Sequence, residues 1–96
     1  MSLPKDYDIY KGLTILAIEK TLLGIGKPIY DKVIGMLNKN YHCYLTDCYE
    51  HPEYLSEILK KLYGNSHNEI IESIKIQLKE FLDKEPIERF LQVMHR

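Results

Sequence analysis

The segment DIYKGLTILAIEKTLL (residues 8–23), followed directly by GIGKP (residues 24–28), decides the fold of this chain of 96 residues. On a helix with 3.6 residues per turn, its apolar side chains line two sides. One side carries Ile9, Leu13, Leu16, Ala17 and Leu23, and the other carries Ile15, Ile18, Leu22 and Ile25. Such a helix is typical of the centre of a bundle, or of a helix that packs a core with one side and another chain with the other. The pattern predicts a homodimer, with the second of these sides as its interface.

The glycines and the proline of residues 24–28 end this helix and begin a second one. Glycine accepts the left-handed conformation that often ends a helix, and Pro28 suits the first turn of the next. The second helix is predicted over residues 28–39. A phosphate-binding loop is a poor interpretation of this segment, because such a loop follows a strand and needs Ser or Thr after its Lys.

Proline and glycine also divide the second half of the chain. A third helix is predicted from Pro52 to Gly64, a fourth over residues 67–83 and a short fifth from Pro86 onward. Residues 40–51 lack clear helical or strand periodicity. Their Tyr side chains can bury a large area, so we expect an ordered loop that packs against the helices.

The fold class that follows from these elements is all-α. We expect a single helical domain over residues 1–96, built as a compact bundle of about five helices. The ordered loop, which contains Tyr, Cys and His, lies between helices two and three.

Composition and charge disfavour several function classes. The chain has 13 Lys and Arg against 14 Asp and Glu, a net charge of −1, and a nucleic-acid-binding domain needs a basic surface. DNA binding would require one patch formed by Lys11, Lys20, Lys27, Lys32 and Lys39. No apolar run is long enough to span a membrane, and residues 1–6 lack the apolar stretch of a secretory signal. We expect a cytoplasmic protein that does not associate with membranes.

Residues 42–51 hold the densest set of reactive side chains. His42, Cys43, Cys48 and His51 are chemically sufficient for tetrahedral zinc, since thiolate and imidazole are ligands that zinc prefers. All four come from one short segment, whereas structural zinc sites usually join separate segments. Zinc binding is therefore an alternative, and the main expectation includes no metal or other cofactor. Cys48 and His51 are also a poor nucleophile and base pair, because such partners normally come from different elements. We assign no catalytic residues and expect no enzyme.

The Tyr-rich loop and the start of helix three form the predicted contact surface for another protein. Tyrosine combines a large apolar body with a polar tip, which suits interfaces. The predicted partner-binding residues are Tyr44, Tyr49, Glu50, His51 and Tyr54. The tyrosines of this segment alternate with acidic residues instead of Lys or Arg, which disfavours stacking on nucleic-acid bases.

The runs YHCYLTDCYEHPEYL (residues 41–55), YGNS (residues 63–66) and EIIESI (residues 69–74) resemble the Nitrososphaera output domain, type five. The resemblance covers most of the chain, and residues 48–55 are its distinctive part. It implies a small helical module that occurs alone or at the end of archaeal regulatory chains, with an output role in signalling. It implies no reaction and supplies no catalytic residues. We therefore expect a non-enzymatic protein-interaction or signalling output module that acts as a homodimer.

Overall fold

The computed structural model describes residues 5–96, with side chains from residue 8 onward. Over these residues the chain forms five α-helices: α1 Lys5–Ile25, α2 Lys27–Tyr41, α3 Pro52–Tyr63, α4 His67–Gln77 and α5 Glu85–Met94. Short 3₁₀ helices at Leu45–Tyr49, Gly64–Ser66 and Lys79–Phe81 connect the later helices. The described residues contain no strand, and the predicted all-α helical bundle is confirmed.

The main boundary error concerns the fourth helix. It ends at Gln77, and residues 79–81 form a tighter 3₁₀ turn where the sequence predicted helix up to residue 83. The amide of Leu78 donates both to Ile74 and to Lys75, which marks the change from α-helical to 3₁₀ hydrogen bonding. A period of 3.0 residues differs little from a period of 3.6 over a single turn, so the apolar pattern could not show this change.

Gly26 alone separates α1 from α2. Its φ of 157° and ψ of 147° lie in a region that L-residues with a side chain rarely adopt. The Gly26 amide donates to the Leu22 carbonyl at 3.1 Å, and the Gly26 carbonyl accepts from Ile29 and Tyr30 at 3.1 Å. One residue therefore closes the end of α1 and the start of α2.

A single hydrophobic core joins the five helices. Helices α1 and α3 organise it, because α1 packs against α2, α4 and α5, and α3 also packs against α2, α4 and α5. The largest fully buried side chains are Ile18, Leu22, Leu37, Leu55, Ile58, Leu59, Ile71, Ile74, Leu78, Ile87, Phe90 and Met94. None of the described helices is both long enough and apolar enough to cross a membrane.

The structure buries the side of α1 that the sequence assigned to the dimer interface. Ile15, Ile18 and Leu22 lie in the core of their own chain, and only Ile25 is exposed. The predicted interface is therefore wrong at three of its four positions. Both sides of α1 are apolar, so the sequence did not show which one the other helices cover. Thr14 is also buried on this side, where its hydroxyl donates at 2.7 Å to the Tyr10 carbonyl.

Candidate interaction surfaces

The opposite side of α1 leaves apolar side chains in contact with solvent. Ile9, Leu16 and Leu23 are 55%, 45% and 49% exposed. Their seven-residue spacing places them in one row along about 21 Å of helix. Gly12 and Lys20 are exposed on the same side, and Lys20 is the charged residue within the row. We call Ile9, Gly12, Leu16, Lys20 and Leu23 the outer face of α1.

A groove between α1 and α4 extends this surface. Its volume is about 420 Å³, and its walls include Thr21, Gly24 and Ile25 of α1 and Ile70 and Ser73 of α4. Ile25 is 46% exposed, and Ile76, three residues beyond Ser73, is 64% exposed. Lys20, Glu69 and Gln77 also line this groove, so Ile25 is the exposed apolar side chain among mostly polar walls.

The turn at Leu45–Tyr49 is ordered by its own side chains and by α1. The Asp47 carboxylate accepts from the Tyr44 amide at 2.8 Å, and the Asp47 amide donates to the Tyr44 carbonyl at 3.0 Å. The Lys11 ammonium donates to Glu50 at 2.9 Å, which connects α1 to the end of the turn. The sequence prediction of an ordered loop is therefore correct in substance, although residues 45–49 are helical.

Three rings form an aromatic stack beside this turn. Tyr54 lies parallel to Tyr41, with ring centroids 4.2 Å apart, and parallel to His51, with centroids 4.7 Å apart. The Nδ1 atom of His51 lies 3.2 Å from the Glu53 carboxylate. Burial, and after it the charge of Glu57, raises the pKa of the Tyr41 phenol, and Glu53 acts in the same direction. The stack is therefore bordered by carboxylates.

The structure leaves most of the predicted partner-binding residues accessible. Tyr44 is 70% exposed, Glu50 and His51 are exposed, and Tyr54 is half-buried in the aromatic stack. Tyr49 is a correction, because the 3₁₀ turn directs its ring into the core. The sequence could not show this, since the direction in which the side chains of a short 3₁₀ turn point depends on the helices around it.

The alternative zinc site does not form. Among the described residues, no three His, Cys, Asp or Glu side chains come close enough to hold a metal ion. His42 is exposed at the end of α2, while Cys48 is fully buried. Burial raises the pKa of the Cys48 thiol to about 12, which opposes the thiolate form that zinc requires. The prediction that His42, Cys43, Cys48 and His51 could share a metal is therefore wrong for this fold.

The lysines of the first two helices do not act as one free basic patch. Lys11 is paired with Glu50, and Lys27 is paired with Asp31 at 3.1 Å. Lys20 stands nine residues from Lys11, which is half a turn out of phase on a helix. These contacts give no support to a nucleic-acid-binding function.

No protein-family model, no curated protein and no solved structure gives a significant match to the chain. The resemblance to the Nitrososphaera output domain, type five, therefore stays a prediction.

Proposed function

We propose that this protein is a non-enzymatic interaction module that acts as a homodimer, and that two copies meet through the outer face of α1. The observation that carries the proposal is the row of Ile9, Leu16 and Leu23, which are half-exposed while the opposite side of α1 fills the core. A helix that is apolar on both sides has more apolar surface than one core can cover.

The apolar area is sufficient for a weak dimer. Three side chains per copy are about half-exposed on the outer face of α1: Ile9, Leu16 and Leu23. Full burial of such a side chain contributes about 1.5 to 3 kcal/mol, so covering the exposed half contributes at most about 1.5 kcal/mol each and about 9 kcal/mol for two copies. Association costs at least about 4 kcal/mol. The net value is at most about 5 kcal/mol, which corresponds to a Kd of about 200 μM.

Charge favours an antiparallel arrangement of the two α1 helices. If Leu16 lies on the two-fold axis, Lys20 stands opposite the partner's Gly12, where a side chain can lie flat across the helix. A parallel arrangement would instead place Lys20 against the same residue of the second copy and align the two helix dipoles.

The output role in signalling is the part of the proposal that the sequence resemblance supports. The accessible surface around Tyr44, His51 and Tyr54 gives such a module a second face, separate from the outer face of α1, for a different protein. Two free cysteines, Cys43 and Cys48, suit a reducing cytoplasm.

Sedimentation equilibrium across a concentration series tests the dimer. We expect the wild-type protein to shift reversibly from 11.4 kDa toward twice that mass as concentration rises through about 200 μM. Leu16→Glu should stay monomeric with unchanged circular dichroism, because its carboxylate would be buried at the two-fold axis. Tyr44→Glu is the matched control, since it places the same charge on an exposed apolar position outside the interface. A wild-type protein that remains at 11.4 kDa throughout contradicts the proposal.

A further inference from the structure

A groove with an apolar floor lies between the start of α3 and α5. Its volume is about 380 Å³, within the usual range of ligand-binding clefts. Pro52 and Phe90 are buried at the groove, and Pro86 and Val93 line it while half-buried. This apolar lining suits a large aliphatic side chain.

Two of the charged groups at the groove are already balanced by neighbours. Arg89 pairs with Glu85 along α5 at 3.2 Å. Glu50 accepts from Lys11 at 2.9 Å. These pairs contribute little net charge at the mouth of the groove.

Glu53 gives the α3 side of the groove its negative character. Its carboxylate lies at the mouth, with the His51 ring at 3.2 Å, and Glu57 follows one turn later on α3. Residues 40–59 contain four acidic residues and no Lys or Arg. The chemistry that complements an apolar floor beside Glu53 is an aliphatic side chain next to a cation.

The ring of His51 favours arginine as that cation. His51 stacks on Tyr54 with one face, so it ends the aromatic stack, and the residue is exposed. A guanidinium group is planar, stacks on aromatic faces and can form two hydrogen bonds to one carboxylate, whereas an ammonium group offers only a point charge. Glu53 and His51 present these two kinds of contact within one turn of chain.

We propose that this groove docks an exposed segment of a partner protein in which a large aliphatic residue stands beside an arginine. The aliphatic side chain fills the space over Phe90, and the guanidinium binds Glu53 against the ring of His51. The inference rests on the proposed role as an interaction module, because it names the kind of partner, but it uses a surface separate from the outer face of α1.

Nitrogen-15 NMR titration with two short peptides tests the proposal. The probe is N-acetyl-leucyl-arginine methylamide, and the matched control peptide replaces arginine with citrulline, which has the same shape without the charge. We expect the arginine peptide to shift the amide signals of Glu53, Phe90 and Val93. The citrulline peptide should bind about fivefold more weakly, which corresponds to the upper range for an exposed ion pair.

Variants of the protein test whether the arginine peptide binds at Glu53 or at acidic residues in general. Glu53→Gln should weaken the arginine peptide about fivefold and leave the citrulline peptide unchanged. Glu80→Gln removes an exposed carboxylate outside the groove and should change neither affinity. Equal binding of both peptides, or equal effects of the two variants, overturns the proposal.

The same samples distinguish this inference from the dimer. Glu53→Gln should still dimerise, and Leu16→Glu should still bind the arginine peptide. Dimerisation without peptide binding overturns the docking groove alone, and peptide binding by a monomeric wild-type protein overturns the dimer alone.

Discussion

Cys48 makes the stability of the fold sensitive to alkaline pH. The side chain is fully buried, and burial is the main reason that its pKa rises from 9.0 to about 12. The folded pKa lies above the unfolded one, so unfolding releases a proton whenever the pH lies between them. The contribution of the neutral thiol is complete below about pH 9 and is lost as the pH rises toward 12.

The magnitude follows from this difference in pKa. Over the interval the free energy of unfolding falls by about 1.4 kcal/mol per pH unit for one proton. Between pH 8 and pH 10.5, Cys48 alone should therefore remove about 2 kcal/mol of stability. Tyr30 and Tyr41 also have raised pKa values because of burial, so they lower the stability in the same direction.

Urea unfolding, followed by circular dichroism at the two pH values, measures this loss. The contribution of the tyrosines cancels when wild type is compared with Cys48→Ala, which should lose about 2 kcal/mol less between pH 8 and pH 10.5. Cys43→Ala is a matched control, because Cys43 is also buried but its pKa is raised less strongly. Equal losses in wild type and Cys48→Ala would refute the reasoning.

Two further substitutions test local features of the fold by the same unfolding measurement. His42 ends α2 in the left-handed conformation at φ 54°, which glycine adopts more easily than histidine. His42→Gly should therefore raise the free energy of unfolding by about 0.5 to 1 kcal/mol. No change would show that the backbone at this position is not strained. Ser56→Ala should lower it by about 1 to 2 kcal/mol, because the buried Ser56 hydroxyl donates to the Met94 carbonyl at 3.0 Å. Ser73→Ala is its exposed control and should change the stability little; equal effects of both serine variants would contradict the role of this bond.

The order of the helices could be predicted because their ends depend on local chemistry. Glycine at 26 and proline at 28, 52 and 86 each act within a few residues, and the structure has helix boundaries at these places. The side of α1 that is buried in the core could not be predicted in the same way. Both sides of this helix are apolar, and the choice between them depends on helices up to 80 residues later in the chain.

In the candidate sites, too, local features could be predicted from the sequence and contacts between distant elements could not. The sequence indicated the exposed Tyr44 and the accessible ring of His51, since both lie in a segment where polar side chains stand beside many tyrosines. It could not show that Tyr49 points inward, or that Phe90 of α5 closes a groove beside Glu53, because these contacts join elements far apart in sequence. The run of acids without any basic residue over 40–59 was a signal for the charge of that groove.

The junction between α1 and α2 also protects the monomer fold against exchange of segments between copies. If Gly26 adopted helical angles, α1 and α2 could merge into one long helix, and α2 would then pack on a neighbouring copy in a domain-swapped dimer. Pro28 opposes this, because within a continuous helix its ring would clash with the carbonyl of Gly24 and its nitrogen could not donate. Glycine at 26 permits the sharp connection and proline at 28 penalises the straight one, so any self-association should proceed between intact folded chains.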